Sequence, residues 1–320
     1  MKRPRLLIAR PLPARVHERA GVLFDLTIRK DAGPTQGADL SAALAEYDAI
    51  LPSLGDAFSR EVFAATAEPR CRILANFGAG VSHIDLAAAA CAGIAVTNTP
   101  GAVTGPTADL AMLLLLMSAR RAGEGERLVR SGDWQGWHPV QLLGHDVSGS
   151  TIGIVGMGRI GQEVARRSAA GFGMRVLFHN RSPKTVPGVE VTQVPLGELL
   201  KRADFVVLTV PGGSETRHLI DERAFALMRP ETHLINVSRG EVVDEAALVR
   251  ALGDRRIAGA ALDVYEFEPA VPAALRERDD VVLLPHLGSA TRAAREAMGM
   301  TALDNLEAFF RGEVPQDRVA

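Results

Sequence analysis

Apolar runs of four or five residues, rich in Val, Ile, Leu and Ala, recur along the chain and are separated by stretches of helical periodicity. Arg5 to Ala9, Phe24 to Ile28, Tyr47 to Leu51, Arg72 to Ala75 and Ile94 to Thr97 form a first series of expected strands. Helices are expected between them near 14–20, 38–45, 58–66 and 84–92. A second series occupies 151–155, 174–178, 205–209, 233–237, 258–262 and 281–284, again with helices between. Most of these runs are continuously apolar rather than alternating, the mark of strands buried on both faces of a parallel sheet. The pattern predicts two doubly wound α/β units, the second with six parallel strands.

A turn-rich joint, Asn98-Thr-Pro-Gly-Ala-Val-Thr-Gly-Pro106, divides the two series and leads into an apolar helix over about 107–121. After the last strand, Leu287-Gly-Ser-Ala-Thr291 precedes an amphipathic helix from Arg292 to Phe310. The first series lacks a closing helix, so the C-terminal one is expected to return to it. The fold expected is a Rossmann dinucleotide-binding domain inserted in a smaller flavodoxin-like doubly wound domain. Residues 1–98 with 290–320 would form the smaller domain and 99–289 the Rossmann domain. The chain would cross between them at roughly 98–106 and 286–292, making a hinged cleft.

The second series opens on Thr151-Ile-Gly-Ile-Val-Gly-Met-Gly-Arg-Ile-Gly161. A strand here runs into three glycines at the spacing a dinucleotide pyrophosphate requires. Gly156 permits the tight turn, Gly158 lets phosphate approach the backbone, and Gly161 lets the next helix pack close to the sheet. Amides at the start of that helix, around Arg159 and Ile160, can then bind phosphate oxygens. The following strand ends in His179-Asn-Arg-Ser-Pro-Lys184, where an NAD site would carry an acid for the ribose hydroxyls. No acid stands at this turn. Asn180 and Ser182 can donate hydrogen bonds and Arg181 and Lys184 can pair with a 2′-phosphate, which favours NADP(H) over NAD(H).

Composition narrows the partners. The 320 residues carry 36 Lys and Arg against 38 Asp and Glu, a formal charge of −2, so no basic footprint for nucleic acid is present. The most apolar run, Leu110 to Met117, is too short to span a bilayer, and no signal-peptide pattern opens the chain. Cys71 and Cys91 have neither metal-ligand nor disulfide spacing. We expect a cytoplasmic protein with both cysteines packed in the core, no metal, and a small-molecule substrate.

A nicotinamide enzyme needs an acid/base group and a substrate anchor beyond the carboxyl ends of the Rossmann strands. Arg239 follows the fourth strand, Glu268 the fifth and His286 the sixth. Asp263 also follows the fifth strand and can accept from the nicotinamide carboxamide or cap the local turn. The other histidines, at 17, 83, 138, 145, 179, 218 and 233, lack this placement together with a carboxylate partner, and read as structural or solvent-facing.

These residues, with Asn98-Thr-Pro-Gly101, Thr107-Ala-Asp109, Val210-Pro211, Thr216-Arg-His-Leu-Ile220, Val237-Ser-Arg-Gly240, Glu268-Pro269 and Pro285-His286, make the chain resemble the D-isomer-specific 2-hydroxyacid dehydrogenases. Within that family it resembles the glyoxylate/hydroxypyruvate reductases. The resemblance spans about 45–310, and the first 45 residues carry little of it. It implies a catalytic triad of Arg239, Glu268 and His286, with substrate carboxylate bound by the backbone of Ala79-Gly-Val81 and by Arg239. It also implies cofactor contacts from Thr104, Val210, Pro211, Thr216, Val237, Ser238, Asp263 and Gly288, beside those at the glycines and the basic turn. Arg239 would polarise the 2-oxo group, and His286, kept charged by Glu268, would donate the proton. The tract Gly132 to Gln141, with Trp134 and Trp137, resembles the family's dimer arm, with Gln141 where some members insert an aromatic residue into the neighbour's site. Arm and helix, about 105–145, imply a homodimer. Alternatives on the same scaffold are a 2-ketogluconate or aryl-pyruvate reductase, or a dinucleotide-sensing corepressor.

Overall fold

A computed structural model describes residues 3–31, 33–35 and 37–320, and the chain divides into two compact units, 1–103 with 289–320 and 104–288. The first unit begins with β1 (Arg5–Ile8), α1 (Ala14–Leu23), β2 (Asp25–Ile28), α2 (Gly37–Glu46), β3 (Ala49–Leu51), α3 (Arg60–Ala64), β4 (Ile73–Ala75), α4 (Leu86–Cys91) and β5 (Ala95–Thr97). Its five strands pair in parallel in the order β2-β1-β3-β4-β5. This is the flavodoxin-like order.

The second unit opens with α5 (Thr104–Ala119) and α6 (Ala122–Ser131), then β6 (Thr151–Val155), α7 (Arg159–Phe172), β7 (Arg175–His179), β8 (Val191–Gln193), α8 (Leu196–Arg202) and β9 (Phe205–Leu208). It continues through α9 (Glu222–Leu227), β10 (His233–Asn236), α10 (Glu245–Gly253), β11 (Gly259–Leu262), α11 (Ala273–Arg276) and β12 (Val281–Leu283). All pairings are parallel, in the order β12-β11-β10-β9-β6-β7-β8. The sheet therefore has seven strands, not the six expected. The additional strand, β8, is an edge strand with Val191 half-buried and Thr192 and Gln193 exposed, so it carries no apolar run.

Every residue of β6, β9, β10 and β11 is buried, as their unbroken apolar sequences require when helices cover both faces. Two clusters fill those faces. One packs α8, α9 and α10 through Leu199, Phe225 and Leu248; the other packs α5 and α7 through Leu114, Leu115 and Val164. Gly153 is required where β6 meets α8, since a Cβ there would lie 2.5 Å from Leu199 Cδ2.

The chain then returns to the first unit as α12 (Arg292–Phe310), which buries Met298, Ala302, Leu303 and Leu306 against Leu6, Ile8, Val16 and Ala20. The C-terminal strip follows β5, Val96 N–H donating to Ala320 O at 3.0 Å and Val319 N–H to Val96 O at 2.8 Å. Cys71 is buried, its thiol pushed up to about 12 by burial, but Cys91 is exposed, because it ends the short α4 on the face away from Ala89. Among the described residues, no helix is long and apolar enough to cross a membrane.

Candidate active site

The glycine turn joins β6 to α7. Gly156 has φ +99°, and a Cβ on it would meet Val210 Cγ1 at 2.8 Å; a Cβ on Gly161 would fall 2.2 Å from Gly156 O. Both positions demand glycine for space. Gly158 differs, because a Cβ there would enter open space, and no side chain caps the start of α7. An open, uncapped amino end on a 14-residue helix fits a dinucleotide pyrophosphate. Arg159 and Ile160 form its first turn.

Asn180 closes the turn from beneath: its Oδ1 accepts from Met157 N–H at 3.1 Å, and its Nδ2 donates to Ser182 O at 2.8 Å and to Ser182 Oγ at 3.2 Å. Its amide group is thus engaged within the turn. Arg181 and Lys184 are exposed. A carboxylate does reach this turn, contrary to the sequence reading, because Arg181 pairs with Glu215 of the loop after β9. In that loop Val210 and Pro211 follow β9 directly, and Thr216 Oγ1 donates to Pro211 O at 2.7 Å. Thr104 is the first residue of α5.

Beyond β10, Asn236 folds the Val237–Gly240 turn, accepting from Ser238 N–H at 3.0 Å and Ser238 Oγ at 2.7 Å and donating to Arg239 O at 3.0 Å. Sequence reasoning passed over Asn236, although Asn directly after an apolar strand is a turn signal. The Arg239 guanidinium is partly buried; desolvation lowers its pKa, opposed by the charges of Glu268 and Glu241. Its neighbour Gly240 lies flush against the Tyr265–Glu266 peptide, where a Cβ would be 1.8 Å from Tyr265 C.

His286 follows β12 with φ +54°, a left-handed conformation that needs support from its surroundings. Asp263 supplies it: its carboxylate accepts from Leu287 N–H at 2.6 Å and Gly288 N–H at 2.8 Å, and its carbonyl from His286 N–H at 2.9 Å. Of the two roles left open for Asp263, the structure shows the turn cap. Burial raises its carboxyl pKa, opposed by these amides and by His286. Gly288 O accepts in turn from Thr107 Oγ1 at 3.0 Å.

His286 Nδ1 lies 2.9 Å from Glu268 Oε2, both side chains being about one-third exposed, at 28% and 31%. Burial pushes the Glu268 carboxyl up, but His286, the Tyr265 amide and Arg239 outweigh it and leave the carboxyl below its usual range. The pair thus combines an ionised carboxylate with an imidazole whose Nε2 is left for another partner. Glu266 and His218 form a second such pair, Oε1 to Nε2 at 2.7 Å, so His218 has a carboxylate partner without the strand-end placement of His286.

In the first unit, Asn76 Nδ2 donates to Gly78 O and Gly80 O, both at 3.0 Å, and Asn98 Nδ2 to Ala79 O at 2.8 Å. With its carbonyls so held, the Ala79-Gly-Val81 turn leaves its three amides without acceptors among the described residues. Such a nest of amides suits a carboxylate. A cavity of about 550 Å³ at the amino ends of the second sheet's strands holds His145 and His233 instead. It is remote from the Arg239, Glu268 and His286 turns, which lie at the carboxyl ends.

Sheet, glycine turn and the imidazole–carboxylate pair with its nearby guanidinium define a dinucleotide-dependent oxidoreductase. Residues 112–288 match the model of the D-isomer specific 2-hydroxyacid dehydrogenase NAD binding domain. A glyoxylate reductase of Thermococcus onnurineus is 46% identical over 321 residues, covering 98% of this chain and 95% of that protein. Among solved structures, an NADPH-dependent glyoxylate/hydroxypyruvate reductase of Sinorhizobium meliloti, in complex with NADP and malonate, superposes with TM-score 0.88. It is 37% identical, covering 100% of this chain and 97% of that one. A glyoxylate reductase of Paecilomyes thermophila gives TM-score 0.86 at 34% identity, covering 100% and 99%. The chain belongs to the D-isomer specific 2-hydroxyacid dehydrogenase family.

Proposed function

We propose that this protein reduces small 2-oxo acids, glyoxylate and hydroxypyruvate first, to the corresponding 2-hydroxy acids with NADPH. The observation that carries the reading is the 2.9 Å His286–Glu268 pair beside the Arg239 guanidinium. When bound, the nicotinamide supplies a hydride to the carbonyl carbon. His286 holds a proton on Nε2 and delivers it to the carbonyl oxygen, so that C=O becomes CH–OH. Glu268 accepts from Nδ1, fixing the orientation of the ring so that Nε2 faces the substrate oxygen. Arg239 directs its planar fork at the carboxylate and 2-oxo group, and the Ala79, Gly80 and Val81 amides are suited to a substrate carboxylate.

In this reading residues 1–98 with 290–320 bind substrate and 99–289 bind the cofactor. Arg181 and Lys184 hold the 2′-phosphate, the α7 amides hold the pyrophosphate, and Thr104, Val210, Pro211, Thr216, Val237, Ser238, Asp263 and Gly288 surround the remaining groups. A homodimer is supported by α6, which buries no residue, and by Trp134 and Trp137, which are 51% and 80% exposed. Two unpaired thiols suit a reducing cytoplasm.

Loss of NADPH absorbance across a panel of 2-oxo acids tests the reaction. We expect the highest kcat/KM for glyoxylate or hydroxypyruvate, and no turnover with either would refute the assignment. Light scattering at working concentration checks the dimer, a monomer mass being the contrary result.

A further inference from the structure

The proposed reaction makes no use of the second imidazole–carboxylate pair. The loop 263–269, which leaves β11 and carries Glu268, is tied down on both sides of Glu266. Glu266 N–H donates to Glu245 Oε1 at 2.8 Å, and its carboxylate, 7% exposed, accepts from His218 Nε2 at 2.7 Å and Arg217 Nη2 at 2.9 Å. Arg217 is half-exposed, so water competes with it. His218 is held more firmly: its backbone is left-handed, with φ +51°, and its N–H donates to Glu241 O at 2.8 Å.

A non-glycine residue keeps such a conformation only where its surroundings over-determine it. Two residues beyond Glu266, Glu268 meets His286 through one oxygen and the Tyr265 amide through the other, at 2.9 and 3.1 Å. Phe267 between them is 65% exposed and offers no packing anchor. The Glu266 carboxylate is therefore the side-chain tether nearest to Glu268 on this loop.

We propose that His218 is a positioning residue for the reduction: through Glu266 it fixes the loop so that Glu268 stands against His286. This rests on the roles of Glu268 and His286 proposed above. His218→Met removes the donor at similar bulk, whereas His218→Gln can return an N–H near the imidazole Nε2. In the full-length enzyme, His218→Met is expected to lower kcat for glyoxylate roughly 10- to 100-fold, the usual cost of misplacing a catalytic group by a fraction of an ångström to an ångström. The Kd for NADPH, read by fluorescence, should stay near the parent value.

His218→Gln should recover most of the rate. Glu266→Leu should match His218→Met, and the double variant should lose little more, since both break one contact. Parent-like kcat in His218→Met would overturn the proposal, as would a loss that His218→Gln does not repair or one explained by weaker NADPH binding. Should His218→Met not fold, Glu266→Gln takes its place: it weakens the charge-assisted bonds and should lower kcat at unchanged Kd, parent kinetics being the contrary result. His286→Gln separates the two readings. If it is active the underlying triad fails, whereas an inactive His286→Gln beside a parent-like His218→Met removes His218 alone.

Discussion

Gly240→Ala is the smallest change expected to disable the site, because it adds one carbon where two backbones touch. The new Cβ would lie 1.8 Å from Tyr265 C, 1.9 Å from Tyr265 O and 2.4 Å from Glu266 N. Real Cβ contacts essentially never fall below 3.0 Å, so the two segments must separate by roughly 1 Å or more. No flexible side chain can absorb the shift. Tyr265 is anchored by its hydroxyl, which donates to Leu284 O at 2.8 Å, and Glu266 by Glu245 and His218. Either Glu268 moves away from His286 or Arg239 moves away from both. A 1 Å error in a catalytic group costs about 10²-fold in rate, and overpacking costs about 1–3 kcal/mol of stability.

Steady-state glyoxylate reduction measures the first quantity and urea unfolding the second, with an NADPH titration to show that the glycine turn still works. Gly253→Ala serves as the control. It lies at the end of α10 with nothing within 4 Å of its Cβ, so it should be silent or stabilise by up to about 1 kcal/mol. Parent kcat/KM and parent stability in Gly240→Ala would show that the two turns are not in contact, and the geometric argument would fall.

His286→Gln should lower kcat by about 10²-fold while NADPH binding persists, as removal of a general acid does; near-parent turnover would exclude His286 from proton transfer. Replacing Arg181 and Lys184 with Ala should weaken NADPH but not NADH in a binding titration, and equal loss of both would refute the phosphate contact. His233 makes a pH prediction: burial and the neighbouring His145 lower its pKa from 6.5 to about 4. The unfolded chain takes up this proton near pH 6.5 and the folded protein only near 4, so this contribution is complete above 6.5 and lost as pH falls through that window. The loss should reach about 3 kcal/mol, and His233→Gln should flatten the urea-melt stability profile by that amount; an unchanged slope would show that His233 titrates normally.

Part of this protein is legible from sequence because the cause is local. Short apolar runs bounded by turn residues suit strands buried on both faces of a parallel sheet, and they marked the strands on which the site is built. The glycine spacing lies within one short segment and marks a strand-to-helix turn there. Arg239, Glu268 and His286 stand directly after strands, and in a parallel sheet all strand ends point the same way, so their sharing one end of the sheet follows from connectivity. Elements stabilised mainly through their neighbours were harder to read. The edge strand β8 has no apolar run, and α6 buries nothing in this chain, so neither left a core pattern.

Tertiary structure alone decided the pairings between distant residues. Glu215 reaches Arg181, His218 reaches Glu266 and Ser118 reaches His233, across 34, 48 and 115 positions respectively. Asn180 was read as a donor for the cofactor, yet its amide supports the glycine turn. A polar side chain in a sequence shows only that it can donate or accept. Which partner it meets depends on where the sheet brings the loops that follow its strands, and that is fixed by the packing of the whole unit.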